Sequence, residues 1–357
     1  MADSNDNSEA WVSVPIDASY MQKATDEQKR NALNTFLEKD ADGLKFSIID
    51  ERMKCLIALG ADVNARNSWG DLPMSRIFTR YLLASPAPRI LLEYGADVNA
   101  IDRFGTALHM ACAYHQYEFV HLLLENGADV NVTCGENITP VDCALQGPHL
   151  RDIKDFEHCP DLLNGVPNCL LPPDEDTEDN CRDELLLLLR HLVKMRAADM
   201  YLSEANMDYF REEPEPYFNL DECEELYEVL EELPPKCDAE IALAKQTKIG
   251  TSDVSYYDIV AADQQELVRL SKIDTLLEGL RSDYEQRFPI YADMIGWNYK
   301  RAERIKRARK VGHDFLRSVL VDLPDLCVYE IISYLTERDL LLLLSAELTA
   351  TPVQGPA

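Results

Sequence analysis

The chain has 357 residues, 46% of them apolar, and its 64 acidic against 35 basic side chains give a formal charge of −29. That composition supplies cores for roughly two domains of ordinary size, and its acidity excludes general nucleic-acid binding, which needs clustered cations against phosphate. No apolar run approaches the roughly 18 residues of a membrane span, and 10 cysteines without a C-x-x-C pair read as free thiols in a reducing compartment. The expectation is a folded cytoplasmic protein with no nucleic-acid and no membrane partner. Residues 1–24 are polar, lack the charged start and apolar core of a leader, and read as a disordered N-terminus.

Ordered structure is expected from Thr25, which forms a capping box with Gln28 and opens a helix through Phe36. "IIDERMKCLIALGADVN" follows, and its last five residues recur: "GADVN" starts at Gly60, Gly95 and Gly127. The best-formed unit is "IDRFGTALHMACAYHQYEFVHLLLENGADVN". Thr106 caps its first helix, Leu108 and Ala111 face the core, and Phe119, Val120 and Leu122 to Leu124 line the second, which Gly127 ends. This pattern resembles the ankyrin repeat, whose period is about 33 residues. The resemblance implies helix pairs with β-hairpin fingers, and gives His109 a structural hydrogen bond between repeats rather than a catalytic role. "NSWGDLPMSRIFTRYLLASPAPRILLEYGADVN" is a less regular unit, and "ENITPVDCALQ" opens another at Thr139 and Pro140. Three to four repeats are expected over 25–150, the first of them divergent and polar outside, as a terminal unit must be.

The stretch 151–184 includes "PPDEDTEDNCRDE" and reads as an acidic linker or loop. Within and beside it His158, Cys159, Cys169 and Cys181 match no zinc spacing. From 185 to 350 helical runs alternate with short breaks: Cys223 to Leu233, Ala239 to Thr247, Tyr256 to Ser271, Ile273 to Arg281, Tyr291 to Ala308 and Gly312 to Leu320. The fold class is therefore all-α, an ankyrin-repeat solenoid followed by an α-helical C-terminal domain. Phosphate-loop, zinc-protease, nucleophile-elbow and kinase signatures are absent, so no enzyme activity, catalytic residue, metal or cofactor is expected. "KRAERIKRAR", from Lys300, reads as a solvated helix face, with nuclear import as the sharper alternative.

"LPDLCVYEIISYLTERDL" begins at Leu323. Pro324 suits a first helical turn, and Val328, Ile331, Ile332 and Leu335 form one apolar stripe. Thr336 and Asp339 then open a second helix into five leucines, Leu340 to Leu344, an apolar surface that must meet something. Leu-Pro, an isoleucine seven residues on, Tyr-Leu and Asp-Leu resemble half of an F-box, placed at 320–345, before a tail at 351–357. Ankyrin repeats with such an ending resemble the ankyrin/PRANC proteins of poxviruses and parasitoid wasps. "SYYDIV", "RFPIY" and "AERIKRARKV" are similar to the preceding part of that domain. The resemblance implies a substrate adaptor: the repeats hold a target protein, and Leu323, Pro324, Ile331, Leu335 and Leu340 dock on the Skp subunit of a cullin-RING ubiquitin ligase. On the repeats, Trp69 and Phe104 each precede a tip glycine and are candidate target anchors. A reading from another class stands beside it, a stoichiometric ankyrin inhibitor or decoy without ubiquitin chemistry.

Overall fold

The computed structural model describes residues 25–37, 46–80, 87–135, 137–145, 175–210, 224–280, 284–319, 324–335 and 339. Expectations placed on 1–24, on most of the acidic stretch 151–184, on His158, Cys159 and Cys169, on Leu323, on Leu340 and on the tail 351–357 lie outside these residues. The described residues are predominantly helical. They fall into two compact units, one up to Ala96 and one from Asp97 onward. Among them β pairing is limited to three isolated bridges, and no helix is long and apolar enough to cross a membrane.

The first unit starts with α1 (Asp26–Thr35), whose capping box is complete: Gln28 N donates to the Thr25 hydroxyl at 3.2 Å and Thr25 N donates to Gln28 Oε1 at 2.9 Å. In α2 (Phe46–Ala58) the buried residues Ile49, Met53, Leu56 and Ile57 fall on one helical face. That face packs on α1 and on α4 (Ala87–Glu93), and α4 packs in turn on α3 (Pro73–Arg80). Gly60 follows α2 at φ 98, a left-handed position that strains any residue bearing a Cβ. Asn64 then donates to the Gly95 carbonyl at 3.0 Å, tying one loop to the next along the stack.

The second unit repeats this grammar with a split. α5 (Ala107–Ala113) and α6 (Tyr117–Glu125) form one helix pair. α7 (Pro140–Leu145) opens the next, held by Thr139, whose N–H and hydroxyl both donate to Asp142 Oδ2. Its second helix is α8 (Glu175–Ala197), which packs on α7 and on α6. The side chain of Asn99 donates to Gly127 O at 3.1 Å and accepts from Asp129 N at 2.8 Å. Asn131 makes the same pair of bonds to Tyr201 O at 3.0 Å and Ser203 N at 2.7 Å, just after α8. The ladder of asparagines thus runs from the regular repeats straight into the helix beyond the acidic stretch. α8 starts at Glu175, inside the stretch that composition marks as a linker.

After α9 (Glu204–Asp208), a chain of α10 (Glu224–Tyr227), a π-helical turn (Glu228–Glu232) and α11 (Leu233–Gln246) covers α8. A finger closed by the Lys248–Ser255 bridge comes next, then α12 (Tyr256–Val260) and α13 (Gln264–Leu270). Ser255 and Asp258 reproduce the Thr139–Asp142 capping arrangement: the Ser255 N–H and hydroxyl both reach Asp258 Oδ2 at 2.7 Å. Finger, capped short helix and second helix are the parts of a repeat, without its sequence signature. The single helix expected over Tyr256 to Ser271 is instead two, because Asp263 caps a fresh start by accepting from Glu266 N at 2.8 Å. α14 (Asp274–Leu280) and α15 (Tyr284–Arg287) lead to α16 (Ala292–Val319), which packs on α12, α13 and α14 and meets α6. α16 runs through the break expected before Gly312. That glycine is buried, and inside a helix it costs about 1 kcal/mol relative to alanine. α17 (Asp325–Ser333) closes the described chain against α16.

Candidate protein-interaction surfaces

The residues singled out by sequence fall into two sets, of which the first lies on fingers, Trp69 in the first unit and Phe104 in the second. Asn67 builds the tip of its finger by accepting from Trp69 N at 2.9 Å and Asp71 N at 2.8 Å, while Arg66 holds the Gly70 carbonyl at 2.8 Å. Trp69 is thereby aimed at solvent and is 70% exposed. Phe104 occupies the equivalent place before Gly105, and Asp102 Oδ1 accepts its N–H at 2.9 Å. Its ring is nevertheless 3% exposed, with the Arg103 guanidinium 4.6 Å from its centroid. Trp69 follows Ser68, which has no such cover. Of the two anchors expected from sequence, Trp69 is exposed and Phe104 is buried. Ile101 and Tyr201, 48% and 75% exposed, are finger-loop residues that sequence reasoning passed over. Tyr201 had no detectable signal, since its place in the ladder is set by Asn131 across a long stretch of chain.

His109 is part of the scaffold. It is fully buried; Nδ1 accepts from the Thr106 N–H at 3.2 Å and lies 2.8 Å from its hydroxyl, and Nε2 reaches Ile138 O at 3.1 Å. Both nitrogens are satisfied by the neutral ring protonated at Nε2. Burial holds its pKa down at about 4, against a smaller opposing pull from the Ile138 carbonyl. The bond to Ile138 joins one repeat to the next, as the resemblance implies.

The second surface is the end of α16 with α17. His313 stacks on Tyr329 at 4.4 Å between centroids, and Arg317 pairs with Asp325 at 2.9 Å. Contact pairs that advance on one helix and retreat on the other make the two antiparallel. Val328 and Ile332 are sealed between them at 0% and 1% exposure, worth about 2 kcal/mol each by side-chain burial. The stripe read as one apolar face therefore splits. Its inner edge secures α17 to α16, while Ile331 turns outward at 39% exposure, Leu335 is half-buried and Pro324 is exposed. Phe315, Val319, Tyr329 and Tyr334 are exposed as well, by 52%, 59%, 54% and 79%. Phe315 and Val319 had a readable signal: they continue the i, i+3, i+4 stripe of Ile305, Ala308 and Gly312.

The basic run of α16 is partly committed inside its own unit. Lys300 pairs with Glu125 at 2.7 Å and Arg304 donates to Asn126 Oδ1 at 2.8 Å. The Arg301 guanidinium lies so close to Gly127 that a Cβ there would be 2.6 Å away. Three cations thus meet the C-terminal end of α6, where its carbonyls carry partial negative charge.

Comparison with known proteins agrees with this geometry. Residues 91–144 match the family model of ankyrin repeats (many copies). Ankyrin repeat and SOCS box protein 16 of Mus musculus is 34% identical over 122 residues, covering 32% of this chain and 26% of that protein. Ankyrin repeat and SOCS box protein 6 of Homo sapiens is 35% identical over 102 residues, with 27% and 24% covered. Ankyrin repeat protein 14 of Vaccinia virus (strain Western Reserve) is 42% identical over 57 residues, 16% of this chain and 24% of the viral protein. The chain spans about a quarter of the length of these relatives, at 24–26%. The part of the chain that carries His109, its bond to Ile138 and the "GADVN" loops at Gly95 and Gly127 is an ankyrin-repeat segment.

Proposed function

We propose that the chain is a non-enzymatic adaptor: its ankyrin repeats hold a target protein, and the α16–α17 end recruits a ubiquitin ligase through its Skp subunit. The observation that carries the reading is the division of labour on α17. Val328 and Ile332 fix the helix in place, which leaves Ile331 and Tyr334 presented on a supported surface rather than spent on the fold. Helix-in-groove recognition uses such outward anchors on a pre-formed helix. Pro324 and Leu335 flank them, and Leu323 and Leu340 complete the set carried over from the F-box likeness. Relatives named for ankyrin repeats together with a SOCS box support a layout in which repeats are coupled to a second interaction element.

Co-precipitation of the full chain with Skp and cullin subunits tests this. The wild type is expected to recover both, and Ile331→Asp with Tyr334→Asp to lose them while target capture by the repeats persists. Undiminished target effects in cells after that double change would favour the stoichiometric inhibitor instead.

A further inference from the structure

Beyond the cations that reach α6, α16 carries a second basic group at Lys306, Arg307, Arg309 and Lys310. Arg307 and Lys310 are exposed, and among the described residues neither makes an ion pair. The acidic side chains of the same half of the helix, Glu303 and Asp314, are engaged by the Tyr299 hydroxyl at 2.6 Å and by His313 at 3.5 Å. Apolar surface continues from the basic group. Val311, Phe315 and Val319 follow Arg307 at i+4, i+8 and i+12, one slowly winding row along the helix. Val311 is half-buried, and Phe315 and Val319 are 52% and 59% exposed. Two residues, about 200° of helical turn, separate Phe315 from His313 and from Arg317, which hold α17, so Phe315 points away from α17. The row is therefore distinct from the outer edge of α17 that carries Ile331 and Tyr334.

Exposed apolar side chains next to cations without counter-ions, in a chain of formal charge −29, suit a ligand that supplies both missing halves. We propose that this row of α16 docks a short acidic amphipathic helix of a partner protein: its apolar residues cover Phe315 and Val319, and its carboxylates, about 12 Å further along, meet Arg307 and Lys310. Extended polyanions fit worse. A membrane or a nucleic acid brings its charge against that of the whole chain, whereas a short segment lying on this row feels mainly the charges within a Debye length, about 8 Å at physiological salt.

Fluorescence anisotropy with the full chain tests this. The probe is a labelled helical peptide with a pair of leucines one turn apart and a run of glutamates about eight residues, or about 12 Å, beyond the first leucine; its control carries glutamines in their place. The probe should bind at least about tenfold tighter than the control, and should weaken by about tenfold as salt rises from about 50 mM to about 500 mM. Arg307→Glu with Lys310→Glu, and separately Phe315→Ser, should each weaken binding by about tenfold, while circular dichroism stays unchanged because these positions are exposed. Ile331→Asp with Tyr334→Asp should leave probe binding as it is, so this row and the ligase-docking edge of α17 stand or fall separately. Equal binding of probe and control, or indifference to both changes on α16, would overturn the proposal. So would vesicles of phosphatidylserine and phosphatidylcholine binding in place of the peptide, or a dimer in light scattering that Phe315→Ser dissolves, since each names a different occupant.

Discussion

The side-chain amide of Asn131 donates to the backbone carbonyl of Tyr201 at 3.0 Å, joining residues 70 apart in sequence. Its oxygen accepts from Ser203 N at 2.7 Å and from Asn206 Nδ2 at 3.2 Å. Asn131→Ala removes all three bonds and strands the Ser203 N–H, for an expected loss of about 2 kcal/mol. Chemical denaturation should show the midpoint falling with an unchanged slope. A loss under about 0.5 kcal/mol would mean that the loop is held by its other contacts.

Acid should weaken the second unit through two histidines. Burial lowers both His109 and His191 to about 4. The unfolded chain, titrating near 6.5, therefore binds more protons than the native one between those values, and stability falls as pH drops through that window. Each shift is worth up to about 3 kcal/mol at its acid limit. Glu184 works the other way: its raised pKa gives stability that is present at low pH and lost as pH rises through the folded value. Thermal melts from about pH 7 to about pH 4 should show a steady fall that His191→Gln cuts by about half.

Trp69 and Phe104 hold equivalent positions with opposite fates, so alanine should separate them. Trp69→Ala is expected to leave the melting temperature within a degree or two while weakening target binding by about 2 kcal/mol. Phe104→Ala should cost about 3 kcal/mol of stability, as expected for a buried ring. If Phe104→Ala melts like the wild type, its burial is of no energetic consequence.

Neighbouring isoleucines give a sharper contrast. Ile331→Asp puts a charge on the outer edge of α17, and circular dichroism should register no loss of helix. Ile332→Asp buries a carboxylate against α16 and should release α17, at about 4 kcal/mol or more. Should Ile331→Asp also melt the helix, the outer edge is part of the core and the ligase reading loses its anchor.

What was legible in the sequence is what short-range hydrogen bonding dictates. The Thr25–Gln28 box, the Thr106 cap, the role of His109 and the three "GADVN" turns all depend on residues within a few places of one another or on a fixed repeat period. The pairing of α7 with α8 was not legible, because the partner of Cys143 and Ala144 lies past 146–174 and its helix has no repeat signature. Nor was the Lys248–Leu270 unit, where Ser255 and Asp258 stand for the usual threonine and histidine and keep only the hydrogen-bond pattern. Gly312 misled because a helix as long as α16 absorbs the roughly 1 kcal/mol that one interior glycine costs. Phe104 misled because position in a repeat does not reveal that an arginine next to it will lie over the ring.

The split between α7 and α8 also says where this protein tolerates change. Closing a chain segment between two fixed ends costs entropy that grows only with the logarithm of its length, about 0.6 kcal/mol for each doubling. Both ends here are fixed by strong local devices, the Thr139–Asp142 cap on one side and the buried leucines of α8 on the other. By that entropy alone, altering the length of chain between Leu145 and Glu175 costs the stack little, so insertions there meet only a weak penalty from closing the segment.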